Sequence, residues 1–417
     1  MIRWILALTF ASLVGDPSGE TDHWAEFRGP GGTGISDATG LPREWSETKN
    51  VVWKTPLHGR GWSSPVVWNK QIWLTTGTSD GKELSVICVD RESGKVLLDH
   101  KMFTIAKPDP LWEKFNSYAS PTPVLEEGHV YITFGTYGTV CIDTKTMKPV
   151  WARDDLLCNH WRGAGSSPIL FENLLILTFD GYDVQYLVAL DKKTGKTVWK
   201  SDRSHDFGTD DGDRKKGYST PIIIDVAGKP QMISPASNAV VSLDPHTGKI
   251  LWWVKTGNHS PAQRSLYGNG LVYATNGAGK ELFAIKPDGK GDVTSSHIAW
   301  KMKKGVGHKP SPVLVGDLIY LVSEEGSASC VDAKTGEQIW AKRVGGKSFS
   351  ASPLSADGAL YFFAEDGVAT ILQPGREYKE IGQNKLDGGK ECKSTPAIAG
   401  KSLFIRTDSN LYRIEAK

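Results

Sequence analysis

Short runs of alternating apolar and polar residues recur along nearly the whole chain, each closed by a cluster of Gly, Asn, Asp or Pro. In the first complete unit, residues 65–68 form an apolar run broken at Asn69-Lys70, and residues 71–76 alternate. Residues 77–82 read as a turn, 84–89 as a third run, 90–95 as a turn and 96–102 as a fourth run. A period of two bounded by turn residues predicts strands, and four in succession predict an antiparallel meander.

The third turn and fourth strand are written in one recurring pattern. Asp191-Lys192-Lys193-Thr194-Gly195-Lys196-Thr197-Val198-Trp199 is the fullest copy. Asp244, Gly248 and Trp252 repeat it, as do Asp332, Gly336 and Trp340. Asp143 and Trp151 belong to a looser copy, while Asp90 and Gly94 are followed by Leu98 where the Trp is expected. The Asp side chain accepts from nearby amides and the Gly takes the positive φ that closes the hairpin. A second landmark opens each unit: Ser63-Ser64-Pro65, Ser120-Pro121-Thr122-Pro123, Ser166-Ser167-Pro168, Ser219-Thr220-Pro221, Ser311-Pro312, Ser352-Pro353 and Ser394-Thr395-Pro396, with Arg264-Ser265-Leu266 in register but lacking Pro. Proline suits the first residue of a strand, where its missing donor breaks no ladder bond. Pro65 to Pro396 covers seven intervals of about 47 residues, and a fixed period of that size marks a repeat architecture.

Two units are degenerate. The fifth has a longer turn over residues 287–296 before Trp300, and the seventh carries Gln373-Pro374-Gly375-Arg376 and no Trp. The eighth ends on its third strand at Leu411-Tyr412-Arg413-Ile414, and residues 51–54 read as the missing fourth. Eight four-stranded antiparallel sheets closed by pairing the two ends make an all-β, eight-bladed propeller. Its domain spans 51–417, with a glycine-rich extension over 21–50 that packs Trp24 and Phe27 on the propeller.

Composition narrows the setting. Lys plus Arg number 49 against 47 Asp plus Glu, so no global field points to nucleic acid. Residues 1–20 open with Met1-Ile2-Arg3 and an apolar run, which reads as a secretory signal peptide, with an uncleaved N-terminus as the alternative. The expected location is the periplasm or cell surface. Of five cysteines, Cys88, Cys141 and Cys330 share one repeat position and read as small buried strand residues; Cys158 and Cys392 lie outside that register.

The Asp-x-x-Thr-Gly-Lys-x-x-Trp copies resemble the repeats of the PQQ-like (quinoprotein alcohol dehydrogenase-like) eight-bladed propellers, from roughly residue 50 onward. That family holds quinone-dependent dehydrogenases and a non-enzymatic outer-membrane assembly scaffold. The resemblance implies that Trp151, Trp199, Trp252, Trp300 and Trp340 dock between neighbouring blades, and that the blade-seven seam, which lacks the Trp, is looser. It also implies a checklist for catalysis: a vicinal Cys pair, and Ca²⁺ held by carboxylate and amide oxygens. The chain has no adjacent cysteines, and only Asn116 and Glu391 stand near the expected site. The scaffold branch is therefore the closer likeness, and no cofactor is expected; PQQ with Ca²⁺ is the alternative.

Non-repeated residues are the place to look for function. The first strand of a blade lines the channel, so residues just before each Ser-Pro should ring one mouth. They are Arg60 and Trp62; Asn116 and Tyr118; His160, Trp161 and Arg162; Lys216 and Tyr218; Arg264; His308 and Lys309; Ser348 and Phe349; Glu391 and Lys393. This is a basic, aromatic ring with one carboxylate, suited to an anionic ligand or a peptide. The acidic stretch from Asp206 to Asp213 lacks the spacing of a calcium loop, and His160 and His308 have no partner at metal-ligand spacing, so no metal is assigned. No Gly-x-Ser-x-Gly elbow occurs. The expectation is an exported, monomeric, non-catalytic binding or scaffold propeller. It would present its mouth or blade edges to an envelope protein, a peptide or a small anion, and would touch membranes only through partners or an uncleaved N-terminus. A quinone-dependent oxidoreductase with a reduced site is the alternative.

Overall fold

The computed structural model describes residues 22–389 and 391–416; the expected signal peptide, residues 1–20, lies outside them. Eight sheets follow one another around a central channel. Blade 1 is Val66–Trp68, Gln71–Gly77, Glu83–Asp90 and Val96–Thr104, each strand antiparallel to the next. Blades 2 to 7 repeat this plan over residues 124–153, 169–202, 222–255, 266–302, 313–343 and 354–385. First strands of adjacent blades touch, so they face the channel, while last strands alternate toward solvent. Blade 8 has Ala397–Ala399, Ser402–Arg406 and Asn410–Glu415, and its fourth strand is Val51–Pro56, paired antiparallel with Val51 opposite Ile414. The ring closes by pairing the two ends of the chain, as the repeat count requires.

Each part of the repeat has a physical task. Asp191 Oδ1 accepts from the Thr194 amide (2.8 Å) and hydroxyl (2.7 Å), which folds the turn. Gly195 sits at φ +70, and a Cβ there would stand 2.7 Å from the indole of Trp151, which belongs to the preceding blade. The Trp151 Nε1–H donates to Lys192 O at 2.8 Å. The same arrangement joins Trp53 to Gly94 and Arg91 O, Trp199 to Gly248 and Pro245 O, and Trp300 to Gly336 and Ala333 O. The glycine thus serves backbone conformation and close approach together. Opposite the wedges of blades 2, 3 and 5 lies a small residue on the neighbouring strand: Cys141 across from Trp151, Ala189 from Trp199 and Ala284 from Trp300. All five cysteines are free and buried.

Three seams depart from the pattern, and each is repaired. Trp252 does not donate to the next blade; it is fully buried and donates to Gln231 Oε1 of its own blade (2.9 Å), and Gln231 Nε2 carries the link to Pro287 O of blade 5 (3.2 Å). Where Leu98 replaces the Trp, Gln71 Nε2 reaches Thr144 O of blade 2 at 2.9 Å. In blade 7, Gly382 occupies the Trp position opposite Ile371. Contrary to the loose seam expected there, the extension supplies Trp45, 4% exposed and packed with blade 7 and blade 8 residues. Its amide donates to Asn384 Oδ1 (2.7 Å), and Asn384 returns a bond to Arg43 O (3.0 Å).

The Ser or Thr before each landmark proline builds a second ring. The Ser64 amide donates to Thr122 Oγ1, Thr122 to Ser167 Oγ and Ser167 to Thr220 Oγ1, all at 2.9 Å. On the other side, the Arg264 amide donates to Ser311 Oγ (2.9 Å), Ser311 to Ser352 Oγ and Ser352 to Thr395 Oγ1 (3.0 Å each). Adjacent blades are therefore tied at the axis by hydroxyls and at the periphery by indoles.

Gly195→Ala should cost on the order of 3 kcal/mol, because strain at positive φ adds to collision with Trp151. Gly228→Ala, at φ +78 with nothing within 4 Å of the new methyl, should cost only about 1 kcal/mol. Urea unfolding compares the two; equal losses would deny the indole seat. Trp45→Ala should lose about 3–5 kcal/mol, like any large core truncation, whereas a dispensable extension predicts a loss near zero.

Candidate functional site

The segments leading into the first strands converge at one end of the channel and enclose a cavity of about 280 Å³. Seven of the expected mouth residues line it: Trp62, Asn116, Arg162, Tyr218, His308, Lys309 and Lys393. Others are placed elsewhere. Arg60 stands at the rim with its guanidinium 5.6 Å from the Trp62 ring. Tyr118 donates to Asp109 O (2.7 Å) and anchors the loop between blades 1 and 2. His160 is buried beneath the mouth against Gly135 and Phe179. Arg264 is 3% exposed and lies below the cavity. Phe349 is fully buried in the blade 6–7 core, and Ser350 lines the cavity in its place.

Two cations stand over indoles inside this space. The Lys393 Nζ is 4.2 Å from the Trp62 ring and the Arg162 guanidinium 4.6 Å from Trp112. Such stacking holds a cation in a dry wall while leaving its outer side free to bind. The expected single carboxylate proves too few. Arg162 Nη2 pairs with Asp213 (2.7 Å) and Arg60 with Glu113 (2.8 Å). Lys393 lies between Glu391 (3.1 Å) and Glu365 (3.8 Å), and Lys309 is 3.6 Å from Glu365. Glu113 and Asp213 arrive on the long insertions ahead of blades 2 and 4 and Glu365 on the turn between the second and third strands of blade 7, so only Glu391 was marked by its position in the repeat. The rim is a chain of alternating charges rather than a purely basic ring. Among the described residues, no group of three or more His, Cys, Asp and Glu side chains could hold a metal ion.

Further cavity residues escaped the sequence reading. Trp112 and Phe115, ring centres 4.6 Å apart, come from the long insertion between blades 1 and 2, whose excess length over the repeat was the available signal. His259 and Ser260 come from the segment before blade 5. The floor is Phe27, from the extension. Trp24 exchanges backbone bonds with Val67 of blade 1, Ala25 O accepts from Leu125 of blade 2, and Ile35–Ser36 pairs with the first strand of blade 7. The extension therefore crosses the channel. Arg264 holds it there, donating to Phe27 O (2.5 Å) and to Glu26 Oε2 (2.7 Å). Arg264 stands where the other blades carry a ring hydroxyl or its equivalent, which explains the one landmark with neither Ser-Pro nor Thr-Pro. Gly32 is needed beside it, since a Cβ would fall 2.0 Å from the guanidinium.

Behind Tyr218, Lys216 is fully buried with its Nζ 5.0 Å from the tyrosine ring and no hydrogen-bond partner. Burial pushes its pKa down from 10.5 to about 8. The folded state thus binds this proton less tightly than the unfolded state. Below pH 8 the fold bears the full cost of a buried cation, and that cost fades as pH rises from 8 to 10.5. Lys216→Met should therefore stabilise the protein at pH 7 by up to about 3 kcal/mol. In urea unfolding, the gain should vanish near pH 10.5; a gain independent of pH would show that Lys216 is not charged in the fold.

Comparison with known proteins places this geometry. The chain is similar to tetrathionate hydrolase of Acidithiobacillus ferrooxidans, 23% identical over 248 residues, 58% of this chain and 48% of the relative. It is 32% identical over 105 residues to the outer membrane protein assembly factor BamB of Burkholderia pseudomallei, covering 25% of this chain and 26% of the relative. The BamB of Shewanella oneidensis matches at 23% over 242 residues, 55% and 59% of the two chains. The chain thus spans from about a quarter to three fifths of these relatives' lengths. Among solved structures, BamB from Moraxella catarrhalis superposes with a TM-score of 0.61 at 12% identity, covering 87% of this chain and 99% of that one. The quinohemoprotein alcohol dehydrogenase from Comamonas testosteroni gives 0.68 at 11%, covering 96% and 82%; these likenesses establish the fold. The family model described as outer membrane protein assembly factor BamB matches residues 89–201, 159–294 and 289–374. Those spans take in more than half of the chain, which therefore belongs to that family of PQQ-like β-propellers.

Proposed function

We propose that this protein is an exported, non-catalytic binding or scaffold propeller whose mouth receives an anionic, partly aromatic group from an envelope protein segment or a small ligand. The observation that carries this reading is the pair of cations poised over indoles within one cavity, Lys393 on Trp62 and Arg162 on Trp112. Such walls offer apolar area and positive charge together, which suits a ligand carrying both an aromatic body and an anionic end. Membership of a family described by an outer-membrane assembly factor favours a protein partner, reached by a monomer without direct membrane insertion. The same mouth would accept a short anion, in keeping with the likeness to a tetrathionate hydrolase.

The second reading, a quinone-dependent dehydrogenase, is favoured by the fold likeness to quinohemoprotein alcohol dehydrogenase. The aromatic and cationic lining suits a flat anionic group. The acids do not suit a Ca²⁺ beside it, because Glu113, Glu365, Glu391 and Asp213 each lie within 4 Å of a Lys or Arg and a hard cation needs several free oxygen ligands. No chemical step is therefore derived through that group.

Titration calorimetry with acidic aromatic peptides and with PQQ, the latter with and without Ca²⁺ and a reducible dye, separates the readings. Peptide binding without dye reduction is expected, and the Arg162→Ala/Lys393→Ala double variant should weaken it about tenfold or more, as loss of charge-assisted contacts does. Stoichiometric PQQ binding with sustained turnover would reverse the assignment.

A further inference from the structure

Resting on that reading of the mouth, we infer that the base of the cavity is an oxyanion subsite, built from the inner hydroxyl ring, that takes a carboxylate group. The starting point is the direction of the ring bonds. Thr122, Ser167, Thr220, Ser352 and Thr395 each accept a backbone amide from the preceding blade, and with Ser64 they line the cavity. All six residues are at most 4% exposed. An oxygen that accepts from an amide becomes a better donor through its own O–H. None of these six hydroxyls has a protein acceptor among the hydrogen bonds of the described residues, so their protons are free for the cavity. They come from blades 7, 8, 1, 2, 3 and 4 in succession; the remaining arc, at blades 5 and 6, is where the extension is pinned.

The field beneath has the matching sign. Arg28 and Arg264 are buried under the Phe27 floor, and among the described residues one carboxylate, Glu26, is bonded to the pair. Arg28 spends one nitrogen on Thr33 O and Pro312 O, while its Nε and Nη1 have no partner. Hydroxyl donors on an arc above an undercompensated guanidinium pair favour an acceptor-only, negatively charged group. A carboxylate seated there leaves the rest of its molecule against Trp62, Trp112 and Tyr218. A small aromatic acid and the C-terminal carboxylate of a peptide ending in an aromatic residue carry the same chemistry.

Calorimetry on the full chain tests this with benzoate, with the peptide Ala-Ala-Phe as free acid and as amide, and with inorganic phosphate. Benzoate or the free-acid peptide should bind and the amide should not. Benzoate alone identifies a small acid as the source, and the free-acid peptide alone identifies a chain terminus. Ser64→Ala removes a donor that accepts no amide, so the ring bonds stay intact; it should weaken binding several-fold. Thr122→Val should weaken it about tenfold, and Thr122→Ser should restore wild-type affinity, with Tm confirming folding in each case. Binding of phosphate without either carboxylate, or equal affinity for the amide, would overturn the carboxylate assignment. If Ser64→Ala and Thr122→Val bind within twofold of wild type while Arg162→Ala binds weakly, the subsite falls and the mouth reading stands. If none of the three matters, both fall.

Discussion

The fold depends on one contact made again and again: the indole of one blade lying on the turn glycine of the next, with its N–H on a carbonyl of that turn. A blade cannot bury both faces alone, so the propeller exists only if neighbours are locked in a fixed angular relation. Flat apolar packing would let blades slide. The Nε1–H bond, such as Trp151 to Lys192 O, sets the height, and the bare glycine backbone sets the distance. Because the turn is itself folded by Asp191 on Thr194, one nine-residue pattern encodes the turn and the seat on one blade and the wedge that fills the seat on the next. This is why the pattern returns so faithfully, and why it carries no information about a ligand.

The exceptions follow from the same constraint. A seam whose own blade offers no indole N–H to the next blade still needs a link, and three solutions are visible. Glutamine reaches the same carbonyl at the seams after blades 1 and 4. An indole from outside the repeat, Trp45, fills the seam beside Gly382. At the closing seam, Trp53 from the far end of the chain docks on blade 1 as an ordinary copy would. The extension is thus part of the ring's mechanics as well as its contents.

The propeller, its blade number and its closure were legible because periodicity, turn chemistry and the orphan strand at 51–54 all pointed to one answer. Half of the mouth was legible for the same reason: a register that repeats tells where non-repeated residues such as Trp62, Arg162 and Lys393 must fall. What could not be read was side-chain direction within that register. His160 and Arg264 occupy mouth positions and turn inward, one against Gly135, the other onto Glu26 and Phe27. Lys216 was as basic on paper as Lys393, yet one lies wholly in the wall and the other faces the cavity. Glu113, Asp213 and the Trp112–Phe115 pair sit on insertions, whose conformation no repeat dictates, and Glu365 sits on an inner turn of blade 7.

The ring hydroxyls show how structural and functional roles can share one atom. The Ser-Pro landmark was read through its proline, since proline explains a strand start. The residue before it does more, because the amide it accepts ties two blades together and leaves its own proton facing the axis. In an open channel such protons would face bulk solvent on both sides and select nothing. The extension changes this by laying Phe27 across the axis and placing Arg28 and Arg264 below it, so that a through-channel becomes a pocket with an apolar, positively underlaid floor. Arg264 takes part in that conversion, replacing the ring residue at blade 5 and holding Glu26 and Phe27 of the extension. The one break in the Ser/Thr-Pro landmark is thus the site where a symmetric ring acquires a bottom, and with it a direction from which a ligand can enter.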